Sequence, residues 1–137
     1  MNTRDEIIDV ITRLFVATDK RDWDAVRACF TTQVHFDMTS LGGGDPAVRT
    51  PDEIASGWQQ GLAEVEHVHH QAGNFLVHEH VNAIEADVLC YAVAYHHTSG
   101  KTRMFVGSYN VHVVHTHGEL KIDRFRATTT PSGRSPD

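Results

Sequence analysis

Three long strand-like segments, 83–98, 103–115 and 120–128, follow one another with only short turns between them. Ser99-Gly100 separates the first two, and Thr116-His117-Gly118-Glu119 the last two. Each is rich in Val, Tyr, Phe and other apolar residues and is bounded by turn formers, the pattern of neighbouring antiparallel strands. Residues 68–80 make a fourth such segment, with a bend expected at Gly73-Asn74 and a turn at Val81-Asn82. Long strands joined this tightly must form a meander, and the meander needs a cover for its apolar face.

The N-terminal half supplies that cover. Ile7, Ile8, Ile11, Leu14, Phe15 and Thr18 recur at helical spacing across 3–20, and Thr3 with Glu6 forms a capping-box pattern at the start. Residues 21–30 read as a short second helix with Trp23, Val26 and Phe30 on one side and Asp22 or Asp24 supporting its first turn. Residues 33–38 alternate as a first strand, and 40–46, with three glycines and a proline, are a loop. Thr50-Pro51-Asp52-Glu53 is a helix start: threonine caps, proline suits the first helical position, and the acids face the positive end of the dipole. This third helix carries Ile54, Trp58 and Leu62 and fades near residue 65.

The order predicts an α+β domain over 1–128: a cone-shaped, curved antiparallel (mixed) sheet with three N-terminal helices on its concave face. Gly73 and Gly107 are the expected bending points. The polar segment 129–137, with Pro and Gly, is expected as a disordered tail. Such a cone encloses an apolar pocket, for which Phe15, Trp58, Leu62, Tyr91 and Phe125 are the expected lining.

Formal charge narrows the partners. At −6 with the 11 histidines neutral, the chain lacks the basic footprint of a nucleic-acid binder or of a protein drawn to anionic membranes. No stretch is long and apolar enough to cross a bilayer, and no basic residues precede an apolar run at the start, so a cytoplasmic protein is expected. Cys29 and Cys90 read as buried free thiols. Tyr and Val residues on both faces of 83–98 and 103–115 predict a homodimer through the outer sheet face.

Asp19-Lys20-Arg21-Asp22-Trp23-Asp24 after the first helix, His69-His70-Gln71 followed by Gly73-Asn74, Ser108-Tyr109-Asn110, and Gly118-Glu119-Leu120-Lys121-Ile122 entering the last strand form a recognisable set. Together they resemble the nuclear transport factor 2-like superfamily in its SnoaL-like branch, and within it dehydratases and isomerases of the scytalone dehydratase type. The resemblance spans roughly residues 5–128. It implies the cystatin-like cone, and it implies that Asp19 hydrogen-bonds His70 as a general-base pair while Asn110 helps bind substrate. Two tyrosines of those dehydratases have no counterpart: Thr18 stands before the aspartate, and His35-Phe36-Asp37-Met38 fills the first strand. A second active-site histidine is matched only loosely by His96 or His97. The substrate therefore does not carry over, since one fold hosts many functions.

The chemistry of these residue types agrees with that implication. A carboxylate beside an imidazole fixes its tautomer and stabilises the imidazolium, making a general base. Elimination next to a carbonyl, or double-bond migration, also needs a donor at the developing oxyanion, for which Asn110, Tyr91, Tyr95 and His96 are candidates. The expectation is a lyase or isomerase acting without cofactor or metal on a small cyclic or polycyclic hydroxy-ketone, a small hydrophobic partner. Trp58 and Phe15 are further candidates for substrate contact. Three alternatives stand beside it. Asp19 is also well placed to cap the second helix. The cone is also suited to a non-catalytic ligand-binding or dimerisation module. Finally, the His-x-His pairs 67/69, 78/80 and 115/117, with Glu79 or Asp87 as a third ligand, suit a metal-dependent enzyme.

Overall fold

The computed structural model describes residues 3–80 and 85–134. Helix α1 (Thr3–Asp19) buries Ile7, Val10, Ile11, Leu14, Phe15, Ala17 and Thr18 along one stripe. Helix α2 (Trp23–Ala28) is capped by Asp22, whose carboxylate accepts a hydrogen bond from the Ala25 N–H at 3.2 Å. The cap on α2 is therefore Asp22, which frees Asp19 for another partner. Helix α3 (Pro51–Gly61) begins with a full capping box: the Thr50 hydroxyl accepts from Glu53 N–H at 3.2 Å, and the Glu53 carboxylate accepts from Thr50 N–H at 2.9 Å. That backbone bond holds the Glu53 carboxyl below its ordinary range.

Six strands make one sheet: β1 (Phe30–Asp37), β2 (Ala47–Arg49), β3 (His67–Glu79), β4 (Glu85–Thr98), β5 (Lys101–Thr116) and β6 (Glu119–Arg134). Their order is β2-β1-β6-β5-β4-β3. The four C-terminal strands form the expected antiparallel meander, and β1 joins it parallel to β6. The two hairpin turns place Ser99 and Gly100, and His117 and Gly118, at positive φ, the geometry whose twist matches that of the flanking strands. The bend at Asn74 also takes positive φ (55°), inside a register shift between Gly73 and Leu76.

Three details differ from the sequence expectation. The short strand β2 and a 3-10 turn at Thr39–Leu41 lie in and after the glycine-rich loop, where local polarity hid them. β6 continues past residue 128 to Arg134, so 129–134 is strand backbone rather than a disordered tail; Thr129 pairs with Gly107, and its N–H donates to Ser40 Oγ at 2.8 Å. The expected turn at Val81-Asn82 lies outside the described residues.

The helical stripes and one face of the sheet share a single core. Ile7, Ile11 and Leu14 join Val26, Val34, Val88, Cys90, Val113, Ile122 and Phe125 there, all but fully buried. Cys29 and Cys90 are buried and free, as expected, and burial raises the Cys90 thiol to about 11. Among the described residues no helix is long and apolar enough to cross a membrane.

Candidate functional site

At the open end of this core the helices and sheet diverge around a cavity of about 520 Å³. α1 contributes Phe15 and Thr18, α3 contributes Trp58 and Leu62, and the sheet contributes His70, His96, Tyr109 and Phe125. Met38, Leu41 and Gly43 close one side from the loop after β1. The volume and the mostly apolar wall suit one small organic molecule.

Asp19 ends α1 and His70 lies on β3, 51 positions later, yet their side chains meet. His70 Nδ1–H donates to Asp19 Oδ1 at 2.6 Å, and the His70 backbone N–H donates to Asp19 Oδ2 at 2.9 Å. Both side chains are largely buried, at 12% and 17% exposure for His70 and Asp19. Phe15 stacks on the imidazole with ring centroids 5.2 Å apart and planes inclined by 22°. Together these contacts fix the ring in one tautomer, with the Nε2 lone pair left for the cavity that the ring lines.

Arg21, two residues beyond Asp19, supports the pair from the other side. Its own backbone is left-handed (φ 57°), which turns the chain sharply between α1 and α2. Its guanidinium donates to the carbonyls of Leu62, at 3.2 Å, and Glu66, at 3.4 Å, and also to that of Val65. These carbonyls follow α3 and lead directly into β3, so Arg21 ties the end of α1 to the strand that bears His70.

Tyr109 packs edge-on against Phe15 at 5.0 Å and near Phe125 at 5.3 Å. Burial, with help from the nearby Cys90 and Asp19, pushes its phenol up to about 12, so it stays a hydrogen-bond donor. His96 contacts Phe105 at 4.9 Å and is held below the ordinary imidazole range, first by burial and then by the neighbouring His70 and Arg103. Trp58 sits among Phe30, Phe36 and Phe125, and its buried indole Nε1–H has no hydrogen-bond partner among the described residues.

Several candidates fall elsewhere. Phe15, Trp58, Leu62, His96 and Phe125 line the cavity, but Asn110 does not: it is exposed on the outer face of β5, while its neighbours Tyr109 and Val111 point into the core. Tyr91 is likewise outward, 57% exposed, because Cys90 and Ala92 take the inward positions. Tyr95 lies outside the lining set and rests against His69 at 6.4 Å. In each case the alternation of the strand decides the face, and a choice one residue off reverses it. The inward member of Ser108-Tyr109-Asn110 is Tyr109, a donor that the sequence reading passed over.

These features agree with what the chain resembles. Residues 1–126 match the family model described as "SnoaL-like domain", and the chain belongs to that family. Among curated proteins no sequence matches significantly. The solved structure of a candidate aromatic ring hydroxylase from Novosphingobium aromaticivorans is 25% identical, with a TM-score of 0.84 over 96% of this chain and 91% of that one. A candidate scytalone dehydratase from the same organism is 18% identical, with a TM-score of 0.77 over 93% of this chain and 83% of that one. A LinA-type3 hexachlorocyclohexane dehydrochlorinase from Novosphingobium barchaimii is 12% identical, with a TM-score of 0.79 over 98% and 89%. The likeness establishes the fold. A protein of Nostoc punctiforme with a cystatin-like fold, 16% identical with a TM-score of 0.75 over 94% of this chain and 92% of that one, extends the same frame.

Proposed function

We infer that the protein is a lyase or isomerase, of the dehydratase type, acting on a small cyclic or polycyclic hydroxy-ketone with no cofactor. The observation that carries this reading is the 2.6 Å bond from His70 Nδ1 to Asp19, on a ring that lines an apolar cavity of organic-ligand size. The names of the structural neighbours, a scytalone dehydratase and a dehydrochlorinase among them, lean the same way.

In this scheme His70 Nε2 takes the proton from the carbon next to the substrate carbonyl. The C–H electrons move into the carbonyl, and the developing oxyanion accepts hydrogen bonds from donors on the wall: the Tyr109 hydroxyl or neutral His96. Collapse of the enolate expels the β-hydroxyl, which leaves as water carrying the proton back from His70. Return of the proton to carbon instead gives isomerisation. Either route closes without a redox partner, and Asp19 stabilises the imidazolium throughout.

The test is a screen of cyclic hydroxy-ketones with wild type, His70→Ala and Asp19→Asn in parallel. Loss of roughly 10²–10⁴-fold in rate on removing the base is expected. A turnover that survives both substitutions rules the reading out. Tight ligand binding without turnover by any member of the screen favours a carrier.

A further inference from the structure

Opposite the cavity, on the outer face of the sheet, two histidines and three carboxylates converge. Asp87 lies between buried Ala86 and Val88, so it projects outward, and His112 stands directly across from it in register between buried Val111 and Val113. His80, just past the end of β3, brings Nε2 to 2.9 Å from Asp87 Oδ2. Glu85 Oε1 lies 3.6 Å from His80 Nδ1 and 3.8 Å from His112 Nε2. One ligand atom each from His80, Asp87 and His112 fall within 4.8 Å of one another.

A second observation concerns the backbone. His112 pairs with Arg124 but Val113 pairs with Ile122, so Asp123 is the extra residue of a β-bulge. Bulges re-aim side chains. This one carries Asp123 Oδ1 to 2.6 Å from His112 Nδ1, which leaves Nε2 as the lone-pair nitrogen facing Glu85 and the cluster. A carboxylate behind one ring nitrogen, with the other nitrogen turned to a shared point, is the outer-shell arrangement that orients metal-binding histidines. The cluster also concentrates charge: with neutral imidazoles it holds three carboxylates, and among the described residues these carboxylates pair with the two histidines.

We propose that His80, Asp87 and His112 bind one divalent transition-metal ion of the zinc type, with Asp123 orienting His112. Mixed imidazole and carboxylate donors suit zinc, cobalt and nickel rather than magnesium or calcium. Three protein ligands leave one position for water, and from the outer face of the sheet the ion staples the end of β3 to β4 and β5, away from the cavity. The ligand spacing needs only a side-chain contraction, since a metal–ligand bond is about 2.0–2.2 Å.

The experiment is Zn²⁺ titration of chelator-stripped full-length protein, read by competition with a chromophoric chelator and by thermal unfolding. One ion per chain is expected, with a rise of about 9 °C in Tm at roughly 100-fold excess over Kd. His112→Ala and Asp87→Asn are each expected to weaken binding at least ~10-fold, and Asp123→Asn by about 10–100-fold. Asp87 is exposed, so its variant tests the site without threatening the fold. The His115→Ala/His117→Ala double variant, elsewhere on the sheet, is expected to bind like wild type. No saturable site, or an affinity unchanged in Asp87→Asn, overturns the proposal. So does a site lost only in the His115/His117 variant.

Discussion

Asp19 holds His70 twice with one carboxylate, Oδ1 on the ring and Oδ2 on the backbone N–H. The ring cannot rotate without breaking the first bond, and β3 cannot slide without breaking the second. Asp19→Asn leaves an amide that must present its oxygen to one of two donors and cannot satisfy both as a charge. In ¹⁵N spectra the wild-type imidazole is expected as a single tautomer with the proton on Nδ1, and Asp19→Asn as a mixture. Where turnover is found, the same variant is expected to lower kcat on the order of 10²-fold or more. A single unchanged tautomer in Asp19→Asn would count against the pair's orienting role.

Trp58 lines the cavity with its ring, while its buried indole N–H has no partner among the described residues. Trp58→Phe keeps an aromatic ring among Phe30, Phe36 and Phe125 but removes the N–H. Stability in denaturant is expected to change by less than about 1.5 kcal/mol. A larger loss would show that the cluster depends on the full volume of the indole.

His96 makes stability pH-dependent. Its folded pKa lies below the ordinary 6.5, so between those two values the unfolded chain holds the proton and the folded chain does not. Stability from this group is complete above pH 6.5 and is lost as pH falls through the folded value. Denaturation midpoints measured from pH 7.5 to 5 should therefore drop less in His96→Gln than in wild type. Parallel curves would show that the histidine titrates alike in both states.

Gly107 cannot carry a side chain. A Cβ there would lie 2.2 Å from the Thr128 carbonyl oxygen, at the point where the β5 and β6 register shifts. Because the obstacle is backbone, it cannot rotate aside. Gly107→Ala is expected to destabilise by at least about 1–3 kcal/mol in urea melts, whereas Gly73→Ala, which meets nothing within 4 Å, should be mild.

Leu76, 68% exposed, and Tyr91, 57% exposed, share the outer face across β3 and β4. A homodimer through this face is expected. Light scattering at micromolar concentration should give twice the chain mass for wild type and one chain mass for Leu76→Glu/Tyr91→Glu. A monomeric wild type would refute it.

The fold was legible because two periods dominate the chain. Ile7, Ile11 and Leu14 at helical spacing, and Ala86, Val88 and Cys90 at strand spacing, each demand one buried face, and the tight turns leave few ways to connect them. The pairing of Asp19 with His70 was legible only through family likeness, since nothing local links residues 51 apart. Asn110, Tyr91 and Tyr95 went astray for a different reason. In β4 and β5 both faces carry apolar residues, so polarity does not mark the inward side. The bulge at Asp123 had no signal at all, because a bulge is a property of two strands in register and not of either alone.

Among the described residues Arg21 grips the main-chain oxygens of residues 62, 65 and 66. Every amino acid supplies that same carbonyl, so the grip is blind to which side chains occupy the stretch. The segment 62–66 that joins α3 to β3 can thus change side chains without loosening that grip. The tie between the end of α1 and the strand that bears His70 is therefore written in backbone, where side-chain substitution cannot reach it.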